Sequence, residues 1–420
     1  MSEEIKGELK TETMPKQNDT KLTKDEIKLI KNIESGKIDF DENIEVGEPN
    51  INPKYKCYDL LNYTVDPKYG LIINSKENVL IIRKTLKFLF KKIGSSIFKG
   101  SGLFNISLPL FSFDKMSMLE RFALRYTSIC NYFNKMATVE DPLEKMKYLI
   151  TGFVSSFHTG IKVLKPFNPI LGETFQAKID DADIYVEQVS HHPPISDVLI
   201  MNKNFSYSGV EDLNVSTWPN SMVVKPQKYK GKLELKDQHK TKYTIQFPGF
   251  ILKNTVIGKI NALYTGEMIF KDKVHKLIGL IRFQPDSPGF FDGFYGWIRK
   301  STESRSDFFR GFITQNKELL KNKKRSLFKS KDIISYIEGY WIEEIMFDGT
   351  FYWEINNTST PKLVPEPNPL LSDSRFREDL VEFLKNNIEE AEKQKERLEI
   401  IQRGDRKLRE EFVKNNSKAK

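Results

Sequence analysis

The chain has 420 residues, 39% hydrophobic and 29% charged, a composition typical of a globular protein with a sizeable core. Cys57 and Cys130 are too few for a disulfide framework or a cysteine-based zinc site, and the sequence contains neither a spanning apolar run nor a signal-peptide pattern. An intracellular, reducing location is therefore expected.

The net charge of +9 is unevenly distributed, because residues 1–50 carry −5 and residues 51–420 carry +14. A body this basic favours an acidic partner, either membrane phospholipid or nucleic acid.

The first fifty residues are polar and of mixed charge, with Phe40 as their single aromatic residue. This composition predicts a mostly disordered acidic tail. Residues 76–93 differ, since apolar side chains recur there at helical spacing and lysines occupy the opposite side. They predict a basic amphipathic helix. Such a helix can dock on the protein core, which is the more common case, or lie on a membrane surface.

Residues 115–160 are predicted to be mainly helical, and Asp141-Pro142-Leu143-Glu144 has the capping chemistry of a helix start. From about residue 183 to 355 the pattern changes to short strands, and Asp348-Gly349 marks a hairpin turn. No helices of βαβ type separate these strands, so we predict a meandering antiparallel sheet, most naturally a barrel. A proline-rich stretch at 361–369 precedes a charged helical segment.

The most unusual local sequence is Glu187-Gln-Val-Ser-His-His-Pro-Pro194, which holds two of the five histidines. The prolines force an extended backbone and present His191 and His192 stiffly. The remaining histidines supply no third ligand at metal-site spacing, which argues against a metal site. A phosphate-binding role suits two imidazoles with lysines nearby, whereas two histidines satisfied by backbone groups in a turn are the simpler alternative.

Two further patterns concern charged side chains. In Lys165-Pro-Phe-Asn168-Pro169, two prolines fix a turn that carries Lys165 and Asn168 as donors. Near the C-terminus, Lys395, Glu399 and Arg403 follow one another at four-residue spacing, so they lie along one stripe of a helix. By itself such a stripe is usually a solvated ladder of ion pairs.

Together these motifs resemble the lipid-binding domain of the oxysterol-binding-protein-related family. The string 187–194 is identical to that family's fingerprint, and Lys165-Pro-Phe-Asn-Pro-Ile-Leu-Gly-Glu-Thr174 is similar to its upstream motif. The resemblance covers about residues 76–412 and includes, in the family's order, Ile93-Gly94, Ile106-Ser-Leu-Pro109, Gly339-Tyr340-Trp341, Ser374-Arg375-Phe376-Arg377 and Gln402-Arg403. It departs from the family at 113–117, where a Glu-Pro-Leu-Ser-like string is usual, and in the long basic segment 286–331.

The resemblance implies an α+β fold in which an incomplete antiparallel β-barrel encloses a lipid tunnel, with an N-terminal lid and a long C-terminal helix. The expected divisions are an acidic tail at 1–50 and a lipid-binding domain at 51–420. Within the domain we expect the lid and basic helix at 51–110, helices at 111–165, the barrel at 166–360 and the C-terminal helical segment at 370–412. Leu108 and Pro109 are the implied lid residues that contact lipid.

The family's common ligand is phosphatidylinositol 4-phosphate, which alternates in the tunnel with a sterol or phosphatidylserine. Carried over by matching positions, the head-group residues are His191, His192, Lys165, Asn168, Lys395, Glu399 and Arg403. The implied function is lipid transfer between membranes, with a phosphoinositide or sterol sensor as the alternative. No cofactor, metal, nucleic acid or enzymatic activity is expected; a phosphoinositide hydrolase would need a Cys-x₅-Arg loop, which the sequence lacks.

The protein is accordingly expected to be a cytoplasmic monomer that associates transiently with anionic membranes. Residues 299–331 carry +8, most of the whole excess of positive charge. Together with the lid helix they are the predicted docking surface. The alternative is a solvated basic loop. Within this segment the candidate docking residues are Lys321, Lys323, Lys324 and Arg325.

Overall fold

A computed structural model describes residues 22–47, 63–66, 69–99, 106–160, 164–191, 193–226, 230–284, 305–321, 328, 330–357 and 361–418. The helices within these ranges are α1 (Lys24–Glu34), α2 (Lys76–Ile93), α3 (Met118–Arg125), α4 (Thr127–Thr138), α5 (Pro142–Ser155), α6 (Glu378–Leu384) and α7 (Ile388–Lys418).

Local sequence explains where two of these helices begin. The Ser75 side chain accepts a hydrogen bond from the backbone N–H of Asn78 at the start of α2. Asp141 accepts one from the backbone N–H of Leu143, and Pro142 occupies the first turn of α5, where a missing N–H costs nothing. The predicted basic helix and the predicted helix start at Asp141 are therefore both present.

The strands are β1 (Tyr63–Asp66), β2 (Gly70–Ile73), β3 (Phe113–Ser117), β4 (Lys165–Phe167), β5 (Thr174–Ile179), β6 (Ala182–His191), β7 (Pro194–Met201), β8 (Phe205–Glu211), β9 (Leu213–Trp218), β10 (Ser221–Pro226), β11 (Lys230–Leu235), β12 (Lys242–Gln246), β13 (Gly249–Lys253), β14 (Asn261–Asp272), β15 (Ile278–Phe283), β16 (Phe308–Thr314), β17 (Ile333–Tyr340), β18 (Glu344–Phe347), β19 (Thr350–Glu354) and β20 (Leu363–Pro365). All except β3 and β4, which pair in parallel, belong to one 18-stranded sheet.

The large sheet is antiparallel and branches at β14. Its main series runs β20–β5–β6–β7–β8–β11–β12–β14–β15–β16–β17–β18–β19, and a second branch runs β9–β10–β13–β14–β2–β1. The first half of β14 pairs with β13 and the second half with β12. Gly266 lies between the halves with φ of +84°, a conformation that glycine adopts without strain.

Two strands lie at the ends of the main series and leave the barrel open. Among the described residues, β19 pairs with β18 and β20 pairs with β5, but no ladder joins β19 to β20. The predicted α+β fold with an incomplete antiparallel barrel is thus confirmed.

Helices α3, α4 and α5 share one core with the inner face of the sheet. On α5, the ring of Phe153 lies 5.9 Å from that of Tyr207, 5.4 Å from Phe247 and 6.0 Å from Phe270, each on a different part of the barrel wall. These aromatic contacts bury large apolar areas, so the helices fill part of the barrel interior and leave the rest as a cavity.

The expected disordered tail differs from the structure over residues 22–47. Thr23 and Glu26 form a capping box at the start of α1, and Ile33 and Phe40 are buried against α2 and its neighbours. The charge of this segment is compatible with folding because Leu29, Ile30 and Ile33 recur at helical spacing and pack against the buried cluster. Residues 1–21 lie outside the described residues.

Candidate functional site

A cavity of about 670 Å³ lies between the barrel wall, α2 and α3. Most of its wall is apolar. Ile82, Leu86 and Leu89 line it from α2, and Phe122 lines it from α3. The barrel contributes Val215, Met222, Val224, Leu252 and Tyr264. A cavity of this size and lining suits a long apolar ligand.

One end of the cavity is polar and is here called the mouth. Six of the seven predicted head-group residues line it, and they come from three separate parts of the chain. They are Lys165, Asn168, His191, Lys395, Glu399 and Arg403. The seventh, His192, lies outside the described residues. The fold therefore gathers residues that are up to 238 positions apart in the sequence.

Strand β4 presents Lys165 to the mouth, and the turn that follows it presents Asn168. The Lys165 ammonium donates to Asn168 Oδ1 at 2.6 Å and lies 4.7 Å from the centre of the Phe113 ring. Burial, with the nearby cations of Arg377 and Lys395, lowers the pKa of Lys165 to about 7, although Glu399 opposes the shift. The mouth therefore holds an ammonium group that readily loses its charge.

Buried ion pairs of Arg377 hold this turn in place. The Arg377 guanidinium donates to the backbone carbonyl of Asn168 at 2.7 Å, to Glu173 at 2.9 Å and to both carboxylate oxygens of Asp379 at 2.8 Å. Glu173 also accepts from the Ser117 hydroxyl and from the backbone N–H of Ile170, each at 2.8 Å. One arginine thus joins the turn to the start of α6. Its position in the sequence motif gave no sign of this role.

The two sequence motifs are also hydrogen-bonded to each other. His191 ends β6 and is half-buried at the mouth. Three residues earlier, the backbone N–H of Gln188 donates to Glu173 and its carbonyl accepts from Gly172, at 2.9 and 2.8 Å. The buried Gln188 side chain donates to the Ser190 carbonyl at 2.6 Å. These hydrogen bonds fix the position of one motif relative to the other.

The charged stripe on α7 has one buried and one exposed end. The Lys395 side chain is 8% exposed and lies 3.0 Å from Glu399, whereas Arg403 is 62% exposed and also lies 3.0 Å from Glu399. A solvated ladder would leave both cations in water, so that interpretation fits Arg403 but does not fit Lys395.

The predicted lid residues belong to residues 106–112, here called the lid-proximal segment. Leu108 lines the cavity, and Pro109 precedes a 3₁₀ turn at Leu110–Ser112. The backbone N–H of Leu110 donates to Glu392 on α7 at 3.0 Å. Helix α2 buries Val79, Arg83, Leu86 and Leu89, so it is docked on the protein in this structure.

The cavity also contains an ion pair that sequence analysis did not anticipate. Arg125 on α3 contacts Glu211 at the end of β8, and the Tyr126 hydroxyl donates to the same carboxylate at 3.1 Å. Tyr207 lies 3.1 Å from the Tyr126 hydroxyl. This polar group interrupts the apolar wall. The residues are too far apart in the sequence for their pairing to be visible there.

The predicted docking residues fall largely outside the described residues. Lys323, Lys324 and Arg325 are not described, and Lys321 is exposed and pairs with Glu318 at 2.8 Å. Among the described helices, none is both long and apolar enough to cross a membrane. Within the same ranges, no three His, Cys, Asp or Glu side chains are grouped as metal ligands would be.

An open barrel that encloses an apolar cavity with a charged mouth has the architecture of a lipid-binding domain. The family model described as "Oxysterol-binding protein" matches residues 93–419. The chain therefore belongs to the oxysterol-binding protein family, as the sequence motifs indicated.

Relatives and solved structures agree with this assignment. Oxysterol-binding protein 9 of Dictyostelium discoideum is 29% identical over 322 residues, which cover 76% of this chain and 74% of the relative. The Osh3 ORD of Saccharomyces cerevisiae, solved with PI(4)P, has a TM-score of 0.59 at 21% identity and covers 77% of this chain and 84% of that one. The Osh1 ORD, solved with cholesterol, has a TM-score of 0.60 at 20% identity, with coverage of 93% and 90%. At these identities the two structures support the fold.

Proposed function

We propose that this protein is a lipid-transfer protein, which binds phosphatidylinositol 4-phosphate and, alternately, a sterol or phosphatidylserine in one cavity and exchanges them between membranes. The observation that carries the proposal is the joining of an apolar cavity to a mouth with Lys165, Asn168, His191, Lys395 and Arg403. Apolar walls replace water around the lipid tails, at about 0.8 kcal/mol per buried CH₂. The donors suit a multiply charged phosphate.

Structures of relatives support both kinds of ligand. The Osh3 ORD was solved with PI(4)P, and the Osh1 ORD was solved with cholesterol and with ergosterol. A single cavity obliges two such lipids to compete, so a gradient of phosphatidylinositol 4-phosphate can drive the other lipid against its own gradient. We further propose that the protein acts as a cytoplasmic monomer on anionic membranes and performs no covalent chemistry.

Transfer between two liposome populations tests the proposal. Donor liposomes carry a sterol or phosphatidylserine, acceptor liposomes carry phosphatidylinositol 4-phosphate, and the wild-type protein should move both lipids in opposite directions. Uptake of lipid without delivery would identify a sensor, the alternative function.

The double variant His191→Ala with His192→Ala tests the head-group assignment. Each lost charge-assisted hydrogen bond costs roughly 1.5–3 kcal/mol, so phosphoinositide extraction should fall at least about a hundredfold while the fold persists. Normal extraction by the folded double variant would refute a phosphate role for these histidines.

A further inference from the structure

The lid-proximal segment contacts the mouth through the hydroxyl of Ser107. Lys395 Nζ donates to Ser107 Oγ at 2.6 Å, and Ser107 Oγ donates to Glu399 Oε1 at 2.8 Å. Lys395 Nζ is itself 3.0 Å from Glu399 Oε1, which closes a triangle of three polar groups. A hydroxyl has one donor and two acceptor sites, so Ser107 makes both bonds at once.

The position of Lys395 explains why this triangle concerns ligand binding. Its side chain is almost fully buried, and its ammonium lies 5.7 Å from the centre of the Phe113 ring. The Lys165 side-chain nitrogen lies 4.7 Å from the centre of the same ring, so two lysine side chains meet at one edge of the mouth. A lysine ammonium has three N–H donors. With two directed to Ser107 and Glu399, the third can serve a phosphate oxygen.

Holding a lysine in place before the ligand arrives also favours binding. A lysine side chain has four rotatable bonds, and the freedom it loses on contact with a ligand weakens the affinity. Ser107 restricts that freedom in advance. It does so from the lid-proximal segment. The same segment also contacts α7 through the backbone N–H of Leu110, which donates to Glu392.

We propose that Ser107 is a positioning residue of the mouth, which directs Lys395 towards a lipid phosphate and ties the lid-proximal segment to that same lysine. The inference rests on the proposed phosphoinositide ligand. It follows that a phosphoinositide and the lid-proximal segment bind the same ammonium group of Lys395 through different N–H donors. A sterol has no phosphate to accept the third N–H, so we expect its binding to be independent of this contact.

Substitutions at Ser107 test this inference. Ser107→Ala removes the hydroxyl, and we expect it to weaken phosphatidylinositol 4-phosphate binding about tenfold through the loss of one charge-assisted bond and of preorganisation. Binding of the fluorescent sterol dehydroergosterol and the melting temperature should not change. Ser107→Thr keeps a hydroxyl and should restore the affinity. Ser96→Ala, at an exposed serine whose hydroxyl donates to the Ile93 carbonyl, is the matched control.

A double-mutant cycle separates positioning from direct contact with the lipid. If Ser107 acts through Lys395, Ser107→Ala should have little further effect on phosphoinositide affinity in a Lys395→Ala background. A full tenfold effect in that background would overturn the positioning role, and so would unchanged affinity of the single variant. Equal loss of both ligands would also overturn it, because that result indicates a collapsed mouth.

Hydrogen exchange in the lipid-free protein gives a readout that does not depend on the ligand. The amide of Leu110 should exchange faster in Ser107→Ala than in wild type, and unchanged exchange would exclude Ser107 as a tie between the lid-proximal segment and α7. If the wild-type protein takes up no phosphoinositide while Ser107→Ala accelerates this exchange, the proposed ligand is wrong and the tie to α7 stands.

Discussion

At the scale of the residue, Lys165 changes its protonation on folding. Its pKa is lowered from an ordinary value of 10.5 to about 7, first by burial and then by Arg377 and Lys395. Between those two pH values the unfolded chain keeps a proton that the folded protein has lost. This group therefore makes the free energy of unfolding rise with pH in that window. A phosphate dianion in the mouth favours the charged form and brings the proton back.

We predict that phosphatidylinositol 4-phosphate binding takes up a proton above about pH 7. Affinity should then fall by at most about tenfold per pH unit between pH 7 and 9, the limit for one linked proton. Calorimetry in two buffers of different ionisation enthalpy measures the uptake directly. Lys165→Arg keeps a charge at every pH in this range and should flatten the profile. The same proton uptake in Lys165→Met as in wild type would contradict the assignment to this lysine.

Arg377 shows how a residue outside the predicted set shapes the mouth. Its guanidinium is buried between two carboxylates, those of Glu173 and Asp379, and also holds the backbone of Asn168. Removing one member of such a group leaves an uncompensated buried charge, which is far more costly than the loss of a surface pair. The precise placement of Lys165 and Asn168 therefore depends on an arginine more than 200 positions further along the chain.

At the scale of the element, helix α2 has one side on the cavity and is anchored to the rest of the protein through Arg83. One side lines the cavity with Ile82, Leu86 and Leu89. Its buried Arg83 donates to the carbonyls of Glu42 and Asn43 at 3.2 and 3.3 Å, and to that of Gly258 at 3.0 Å. Residues 22–47 thus fasten the wall of the cavity that is formed by α2.

We predict that Phe40 provides most of this fastening and that the nearby ion pairs provide little. Phe40 is buried, so Phe40→Ala should lower the free energy of unfolding by about 3–5 kcal/mol. It should also raise hydrogen exchange throughout α2. Lys87 pairs with Asp39 and Asp41 at 2.6 and 2.9 Å, but all three side chains are partly exposed. Lys87→Ala should cost less than about 1 kcal/mol. Equal effects of the two variants on exchange in α2 would contradict this division.

Elements with a strong local pattern could be predicted from the sequence. The helix at 76–93 has the periodicity that predicted it, and Asp348 and Gly349, with φ of +50° and +81°, form the predicted turn between β18 and β19. Strands β1 and β2 were not predicted, because their short apolar runs are stable only against distant partners. Helix α1 was not predicted either, although Thr23 and Glu26 form a local capping box, because the polar composition of residues 1–50 favoured disorder. The Arg125–Glu211 pair and the Ser107 contact likewise depend on tertiary packing. The family motifs located the mouth, but not the contacts that hold it together.

At the scale of the whole molecule, the proposed transfer requires the mouth to face a bilayer, so the surface charge of the protein should influence it. The body carries a large positive excess, concentrated at 299–331. Near an anionic leaflet each basic residue contributes on the order of 1 kcal/mol, within about 8 Å at physiological salt. Docking should therefore weaken steeply with salt and on liposomes without anionic lipid.

We predict that the basic segment sets the rate of transfer and does not set the affinity for lipid. Replacing Lys321, Lys323, Lys324 and Arg325 with serine should slow transfer between anionic liposomes and leave lipid affinity in detergent unchanged, because the described residues that line the cavity all stay the same. The matched control removes the same charge from exposed positions on the outside of the barrel, at Lys230, Lys232, Lys271 and Lys273. If docking depends on net charge alone, both quadruple variants should slow transfer equally. If the variant at 321–325 transfers lipid at the wild-type rate at low salt, this segment is excluded as the docking surface.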